Sequence, residues 1–430
     1  MADAAERYLA KRGCLDRWPL DATDTNGVTQ VVAIPCLAEW PGLANTLEDL
    51  AQCSGAVREK TLVICVVNNR APGVARPEDL ANNRDTLAAL QARRETGPLR
   101  LAVVDAASPG RELPEKDGVG LARKLGLDWG TAILHRNGRM HGVLISTDGD
   151  TRLEAGFLDA LDAFYAGTDR WAGVADYAHP LSGTADDAAI VRYELLLRYH
   201  EIGLTFAGSP YAYPTIGSTI SCTARAYVAA GGMNRRQAAE DFYFLQQLAK
   251  TGRIDRVHTT RVHPSARASH RVPFGTGRSV QAFHDCADDA YRLYHPEVYR
   301  VLRDWLAAAR AGNDTDALMA AAERIHRQLP VFLVTQGFPR AWDRIRAHSH
   351  AAQVQRRFHE WFDAFRTLKL VHHLRDTDLP EQEMFSAIHD LLAMRGDASP
   401  VPLGPALRED LDTQRALLTF LRRQTGQPLP

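Results

Sequence analysis

Two carboxylates, Asp148 and Asp150, close a short apolar run, Val143-Leu-Ile-Ser-Thr-Asp-Gly-Asp-Thr151. In an extended chain, residues two apart point the same way. Gly149 between them has no side chain to obstruct a ligand. A hard divalent cation, Mn²⁺ or Mg²⁺, takes such a pair together with water and diphosphate oxygens. The same residues also suit a plain acidic turn at a strand end, because Asp and Gly favour turns. A calcium loop fits poorly. Its fifth and sixth positions need Asp or Asn and then Gly, and here they are Arg152 and Leu153.

Four further segments carry residues able to do chemistry. They are Ala33-Ile-Pro-Cys-Leu-Ala-Glu-Trp-Pro-Gly42, Val66-Val-Asn-Asn69, Asp117-Gly-Val-Gly-Leu-Ala-Arg-Lys124 and Gly231-Gly-Met-Asn-Arg-Arg-Gln-Ala-Ala-Glu-Asp-Phe242. Each has a structural reading beside the chemical one. Glu240 and Asp241 would complement a helix dipole from its first turn. Asn68 and Asn69 would serve as turn residues. Arg123 and Lys124 would sit on a solvated helix face, and that is the expectation for Lys124.

These segments need a scaffold, and the hydrophobic pattern supplies one. The continuous apolar runs 30–35, 61–67, 99–105 and 142–147 predict buried strands. Helical patterns at 43–52, 79–93 and 118–135 separate them. Alternation of this kind predicts an α/β fold, a Rossmann-like, mostly parallel sheet with helices on both faces. Ligands in such sheets bind beyond the carboxyl ends of the strands, where Asp148 and Asp150 fall. Helices are expected at 156–165, 188–202 and 237–251, strands at 171–175 and within 252–263, and an active-site loop at 208–221. From about 280 the pattern becomes helical: 282–311, 315–328, 331–337, 353–374 and 380–394. The expected organisation is an N-terminal extension at 1–28, a catalytic domain at 29–280 and a mainly α-helical C-terminal domain at 281–430. The last region could pack on the sheet or form a homodimer surface.

Composition narrows the function classes. A hydrophobic fraction of 45% and a charged fraction of 24% are ordinary for a globular chain of 430 residues. The formal net charge of −1 gives bulk electrostatics no part in binding nucleic acid. No apolar stretch approaches the ~20 residues of a transmembrane segment. The charged N-terminus is not a secretory signal. The six cysteines are scattered without a Cys-x-x-Cys pair, as expected of reduced thiols in a cytoplasmic protein.

The five segments, in this order and spacing, resemble the family 2 glycosyltransferases, which have the GT-A fold. The resemblance spans roughly residues 28–280 and rests on the ordered set rather than on any one motif. It implies a nucleotide-diphosphate sugar donor, an acceptor hydroxyl, a Mn²⁺ or Mg²⁺ cofactor and an inverting hexosyltransferase-type reaction of carbohydrate biosynthesis. Carried over residue by residue, it implies that Pro35, Ala38 and Glu39 line the base and ribose pocket, with Asn68 and Asn69 at the base. Those two asparagines stand where the family has Asp, which keeps hydrogen bonding and removes charge. Arg123 would approach the base or the diphosphate. Asp148 would contact ribose, sugar or metal, and Asp150 would hold the metal. Asp241, beside Glu240, would be the general base. Some GT-A enzymes add a downstream histidine to the metal, which nominates His270 and, behind it, His263. Arg267, Arg271 and Arg278 could clamp a diphosphate or an anionic acceptor.

The chemistry explains the residue types. The leaving diphosphate gains charge, which a metal offsets. The acceptor hydroxyl must lose its proton as it attacks, which a carboxylate base promotes. Two other readings share parts of this pattern. A non-catalytic relative would bind a sugar nucleotide without turning it over. A sugar-phosphate nucleotidyltransferase should carry a Gly-rich basic loop after the first strand, where this chain has Cys36-Leu-Ala-Glu-Trp-Pro-Gly42.

Overall fold

The computed structural model describes residues 3–22, 24–184, 187–267, 291–312 and 314–426. Contacts divide the chain into two units, one drawn from Met1–Leu181 and Pro214–Gln281, the other from Ser182–Tyr213 and Ala282–Gln427.

Among the described residues, the first unit is built on nine strands: β1 (Leu20–Asp21), β2 (Gln30–Cys36), β3 (Thr61–Asn68), β4 (Arg100–Ala106), β5 (Val143–Ser146), β6 (Arg152–Leu153), β7 (Ala172–Tyr177), β8 (Ile220–Thr223) and β9 (Ile254–His263). Their order across the sheet is β1-β4-β3-β2-β5-β8-β7-β9-β6. The long ladders β4-β3-β2-β5 and β7-β9 are parallel. β8 runs against both β5 and β7, so β7 and β9 point the same way as β5. The carboxyl ends of these parallel strands therefore share one edge of the sheet. Every residue of β2 and β3 is buried, which is why both read as unbroken apolar runs.

The helices in chain order are α1 (Ala4–Arg12), α2 (Gly42–Ala51), α3 (Gly55–Glu59), α4 (Pro77–Thr96), α5 (Val119–Arg136), α6 (Phe157–Tyr165), α7 (Ala188–Phe206), α8 (Ala224–Ala229) and α9 (Glu240–Thr251). α5 lies close against the sheet because Gly126 and Gly130 face it. A Cβ at Gly126 would stand 2.7 Å from the Ala33 Cβ, and one at Gly130 would stand 2.7 Å from a Leu144 methyl. That contact sets the height of α5 and so the place of Arg123 in its first turns.

The N-terminal stretch is part of this unit. Tyr8 of α1 is buried and donates to Asp128 Oδ1 at 2.7 Å. Lys124 donates to the Tyr8 hydroxyl at 2.7 Å and pairs with Asp128 at 2.9 Å, and Tyr227 of α8 donates to Asp128 at 2.8 Å. The solvated face expected for Lys124 is thus replaced by a buried, satisfied ion pair, because α1 covers that side of α5. Arg12 adds a bond to the Gly231 carbonyl at 3.2 Å.

The second unit is helical. It comprises α7 with α10 (Glu297–Ala311), α11 (Thr315–Ile325), α12 (Gln328–Thr335), α13 (Phe338–Ala347), α14 (Ala351–Trp361), α15 (Ala364–Thr377), α16 (Met384–Arg395) and α17 (Leu411–Thr425). A short pair, β10 (Arg292–Leu293) with β11 (Gln382–Glu383), joins them. Its core is aromatic: Trp305, Phe338, Trp342, Phe358 and Phe362 are all buried. α7 groups with these helices rather than with the sheet. Its buried Glu194 is held by Arg198 at 3.2 Å and by Arg422 of α17 at 2.7 Å. The single helix expected over 353–374 is two, because Asp363 stops one and caps the next, accepting from Arg366 N at 3.0 Å. α13 was not expected at all. Pro339 sits in its first turn, where proline is compatible with a helix.

Candidate active site

The turn after β5 is held from beneath by α2. The Thr46 hydroxyl contacts the carbonyls of Gly149 at 3.1 Å and Thr151 at 2.9 Å. Buried Asp49 accepts from Leu153 N at 3.0 Å and from both forks of Arg152 at 2.6 and 2.8 Å. The Asp148–Asp150 tip is therefore fixed by neutral and charge-assisted bonds to one helix.

Arg123 is the junction of the site. Its buried guanidinium donates to Ser146 Oγ at 2.7 Å and to Asp148 Oδ1 at 2.5 Å, and its Nε stands 3.0 Å from Glu240 Oε1. It thereby ties the β5 tip to the first residue of α9, joining two segments far apart in sequence. Burial works against its charge, and Asp148, Glu240 and Asp241 more than restore it. Gly217 makes room for the guanidinium. A Cβ there would lie 2.2 Å from Arg123 Nη2.

The loop before α9 docks on the glycine motif of α5. A Cβ at Gly120 would fall 2.5 Å from the Arg236 carbonyl, and one at Gly118 would fall 2.9 Å from the Gln237 Cα. Gly120 N bonds the Arg236 carbonyl at 3.1 Å, and Asn234 Nδ2 bonds the Glu240 carbonyl at 2.8 Å. The glycines of Asp117-Gly-Val-Gly120 thus admit another loop's backbone. Ala239, immediately before Glu240, has φ +57°, a left-handed conformation that costs a residue with a Cβ and is found where position matters.

Glu240 and Asp241 have different surroundings. Glu240 is buried and paired with Arg123. Asp241 keeps part of its surface open and accepts from Phe242 N at 2.7 Å. Burial and then the neighbouring Glu240 charge push its carboxyl up to about 7, against the pull of Arg123 and the Phe242 N–H. One guanidinium faces three carboxylates here, and burial beside the Glu240 charge raises the proton affinity of Asp241.

Around the carboxyl end of β2, Ala38 again has a positive φ, +54°, and its N–H donates to Asn83 Oδ1 at 2.9 Å. Asn83 also donates to the Asn68 carbonyl at 2.9 Å and to Asn69 Oδ1 at 2.6 Å. Asn82 clasps Trp40 through its N–H at 3.1 Å and its carbonyl at 2.6 Å. Asn69 Nδ2 is bonded to the Ala107 carbonyl at 2.7 Å. Asn69, expected at the base, is therefore buried and uses both ends of its amide to hold the scaffold. Pro35 is buried within β2 opposite Val66. Asn82 and Asn83 were missed by the sequence reading. Their signal was a pair of poor helix formers inside a twenty-residue helix.

Glu39 lies against Gly149, where a Cβ would come within 2.9 Å of the Glu39 Cγ. The missing side chain thus accommodates a neighbouring carboxylate rather than an open approach for ligand. Arg267, after β9, bonds both Glu39 Oε2 and Asp150 Oδ2, the latter at 2.8 and 2.9 Å from two of its nitrogens. Among the described residues, no three of His, Cys, Asp and Glu converge as a metal cage would require. His263 has its Nδ1 2.8 Å from the Ala178 carbonyl. His270, Arg271 and Arg278 lie outside the described residues. Among those described, the five cysteines Cys14, Cys36, Cys53, Cys65 and Cys222 are free thiols, and no helix is long and apolar enough to cross a membrane.

No protein-family model matches the chain, and no curated protein matches it. Among solved structures it is similar to S. aureus TarS 1–349 in complex with UDP-GlcNAc, at 12% identity and a TM-score of 0.39, covering 93% of this chain and 90% of that one. It is also similar to the mannosyltransferase PcManGT from Pyrobaculum calidifontis in complex with GDP-Man and Mn²⁺, at 14% identity and a TM-score of 0.36, covering 87% of this chain and 93% of that one.

Proposed function

We propose that the chain is a nucleotide-sugar-dependent glycosyltransferase that inverts the anomeric centre, with Asp241 as general base. The observation that carries this reading is the Arg123 junction, which puts the Asp148 tip and the Glu240–Asp241 pair at one place. A donor diphosphate seated beyond β5 would have its sugar beside a part-exposed carboxylate whose proton affinity, at about 7, suits proton transfer near neutrality. Glu240 serves a different end. Its charge is spent on Arg123, and it raises the affinity of Asp241 for a proton.

The donor set fits a divalent cation. Glu39 and Asp150 already converge on one positive charge, and a hard cation bridging a diphosphate takes one or two carboxylates, with phosphate and water completing its shell. Asp150 would hold it, and bound there it would offset charge on the leaving diphosphate. Arg123 holds Asp148 in one orientation, toward the ribose or sugar. Asp241 takes the acceptor proton as the hydroxyl attacks opposite the leaving group, and alignment of the two substrates supplies much of the acceleration.

The test is a thermal-shift panel of nucleoside diphosphates and nucleotide sugars, with and without Mn²⁺, followed by donor hydrolysis. A Mn²⁺-dependent rise in melting temperature with one nucleoside diphosphate supports the reading. A rise without any turnover favours a non-catalytic sugar-nucleotide binder. No rise with any nucleotide overturns the donor site.

A further inference from the structure

The two arginines of the site are held very differently. Arg123 is buried among its partners and its side chain is only 5% exposed. Arg267 is 43% exposed, while the carboxylates it bridges, Glu39 and Asp150, are 11% and 23% exposed. The carboxylates are the fixed part. Asp150 sits in the turn that Thr46 pins, and the stem of Glu39 fills the space that a Cβ at Gly149 would take. Arg267 follows the last residue of β9 by four positions, in chain without regular structure. An exposed arginine must give up side-chain freedom to stay in such a pair, and exposed ion pairs contribute little net stability.

We propose that Arg267 is a resident counter-charge at Glu39 and Asp150, which a divalent cation must displace in order to bind. This rests on the reading of Asp150 as the cation-binding carboxylate. The chemistry favours exchange over coexistence. One guanidinium offsets only one of the two carboxylate charges and a divalent cation offsets both, while cation and guanidinium together would leave an excess of positive charge until a diphosphate arrives. The diphosphate supplies that missing negative charge, and the displaced guanidinium is the side chain best shaped for phosphate oxygens. Arg267 would therefore weaken binding of the cation alone and support binding of cation with nucleoside diphosphate, so that metal and donor enter together.

The experiment is a titration of Mn²⁺ alone into the full chain, read by the loss of the free-Mn²⁺ electron-resonance signal. The proteins compared are the unsubstituted chain, Arg267→Gln, Arg267→Lys, Asp150→Asn and the double variant Arg267→Gln with Glu39→Gln, with equal melting temperatures in EDTA as the folding control. The expected result is about fivefold tighter Mn²⁺ binding by Arg267→Gln, corresponding to the loss of one exposed ion pair. Arg267→Lys should stay near the unsubstituted chain, and the double variant should lose the gain. Equal or weaker binding by Arg267→Gln, with binding abolished in Asp150→Asn, would overturn the counter-charge while leaving the cation site standing. Unchanged binding in Asp150→Asn, or no Mn²⁺ binding by any variant, would overturn both.

Discussion

Replacing Asp241 by Asn should slow transfer and raise stability, and the second effect should depend on pH. In the folded chain the Asp241 carboxyl binds its proton at about 7 rather than at the ordinary 3.8. The native state therefore holds a proton that the unfolded chain releases between those values. The stability this contributes is whole below pH about 4, declines as pH rises, and is lost once pH passes about 7. At about 1.4 kcal/mol per pH unit, the full difference is roughly 4 kcal/mol. Asp241 is partly open to water, which screens its charge, so about half of that, ~2 kcal/mol, is the better expectation. Asn keeps the shape and the neutrality of the protonated acid. Asp241→Asn should thus exceed the unsubstituted chain by ~2 kcal/mol at pH 8 and match it at pH 4. In a unit of this size that is roughly 4–8 °C in melting temperature. The assay is a pair of thermal melts at the two pH values, alongside transfer rates. Transfer should fall by about 10²–10⁴ with donor affinity unchanged. A variant no more stable than its parent at pH 8, or equally stabilised at both pH values, would refute the account of Asp241. Undiminished transfer would refute its role as base.

Three further substitutions probe the supports of the site. Glu240→Gln removes the charge that raises Asp241 and frees Arg123 to favour its ionised form, so the midpoint of the rate–pH profile should move below that of the parent; a midpoint that stays or rises counts against the coupling. Gly217→Ala would drive a Cβ to 2.2 Å from Arg123 Nη2, and should cost about 1–3 kcal/mol in urea melts together with donor affinity. A neutral result there would mean that the guanidinium has room to move. Tyr8→Phe strips the hydroxyl that bonds Asp128 and Lys124, leaving buried charge less satisfied, and should cost about 1–3 kcal/mol. Because α1 also bonds the Gly231 turn ahead of α9, the same variant should lower transfer more than donor binding.

Much of the sheet was legible in the chain itself. β2 and β3 read as strands because parallel strands buried on both faces are near-continuously apolar, and the buried run 101–104 marks β4 in the same way, a property of composition over a few adjacent residues. The carboxylates at the end of β5 and in the first turn of α9 were legible for the same reason, since each is marked by local residue types. β8 was not: Ile220 and Ser221 fall at the end of the loop expected at 208–221, Cys222 and Thr223 fall in no expected element, and the four form a strand because β5 and β7 lie on either side to pair with them. The assignment of α7 to the helical unit rests likewise on Arg422, more than two hundred residues away.

The residue types and their order were thus set by the sequence alone, because strand hydrophobicity, helix caps and turn residues act over short spans of chain. What each polar side chain faces was decided by the tertiary structure. Lys124 is buried because α1 covers it, Asn69 is spent on Asn83 and the Ala107 carbonyl, and Arg123 reaches Asp148 and Glu240 together. Those pairings, and the proton affinity of Asp241 that follows from them, depend on burial and on distances between segments that meet only in the folded chain, where a lowered dielectric makes a few ångströms decide which charge persists.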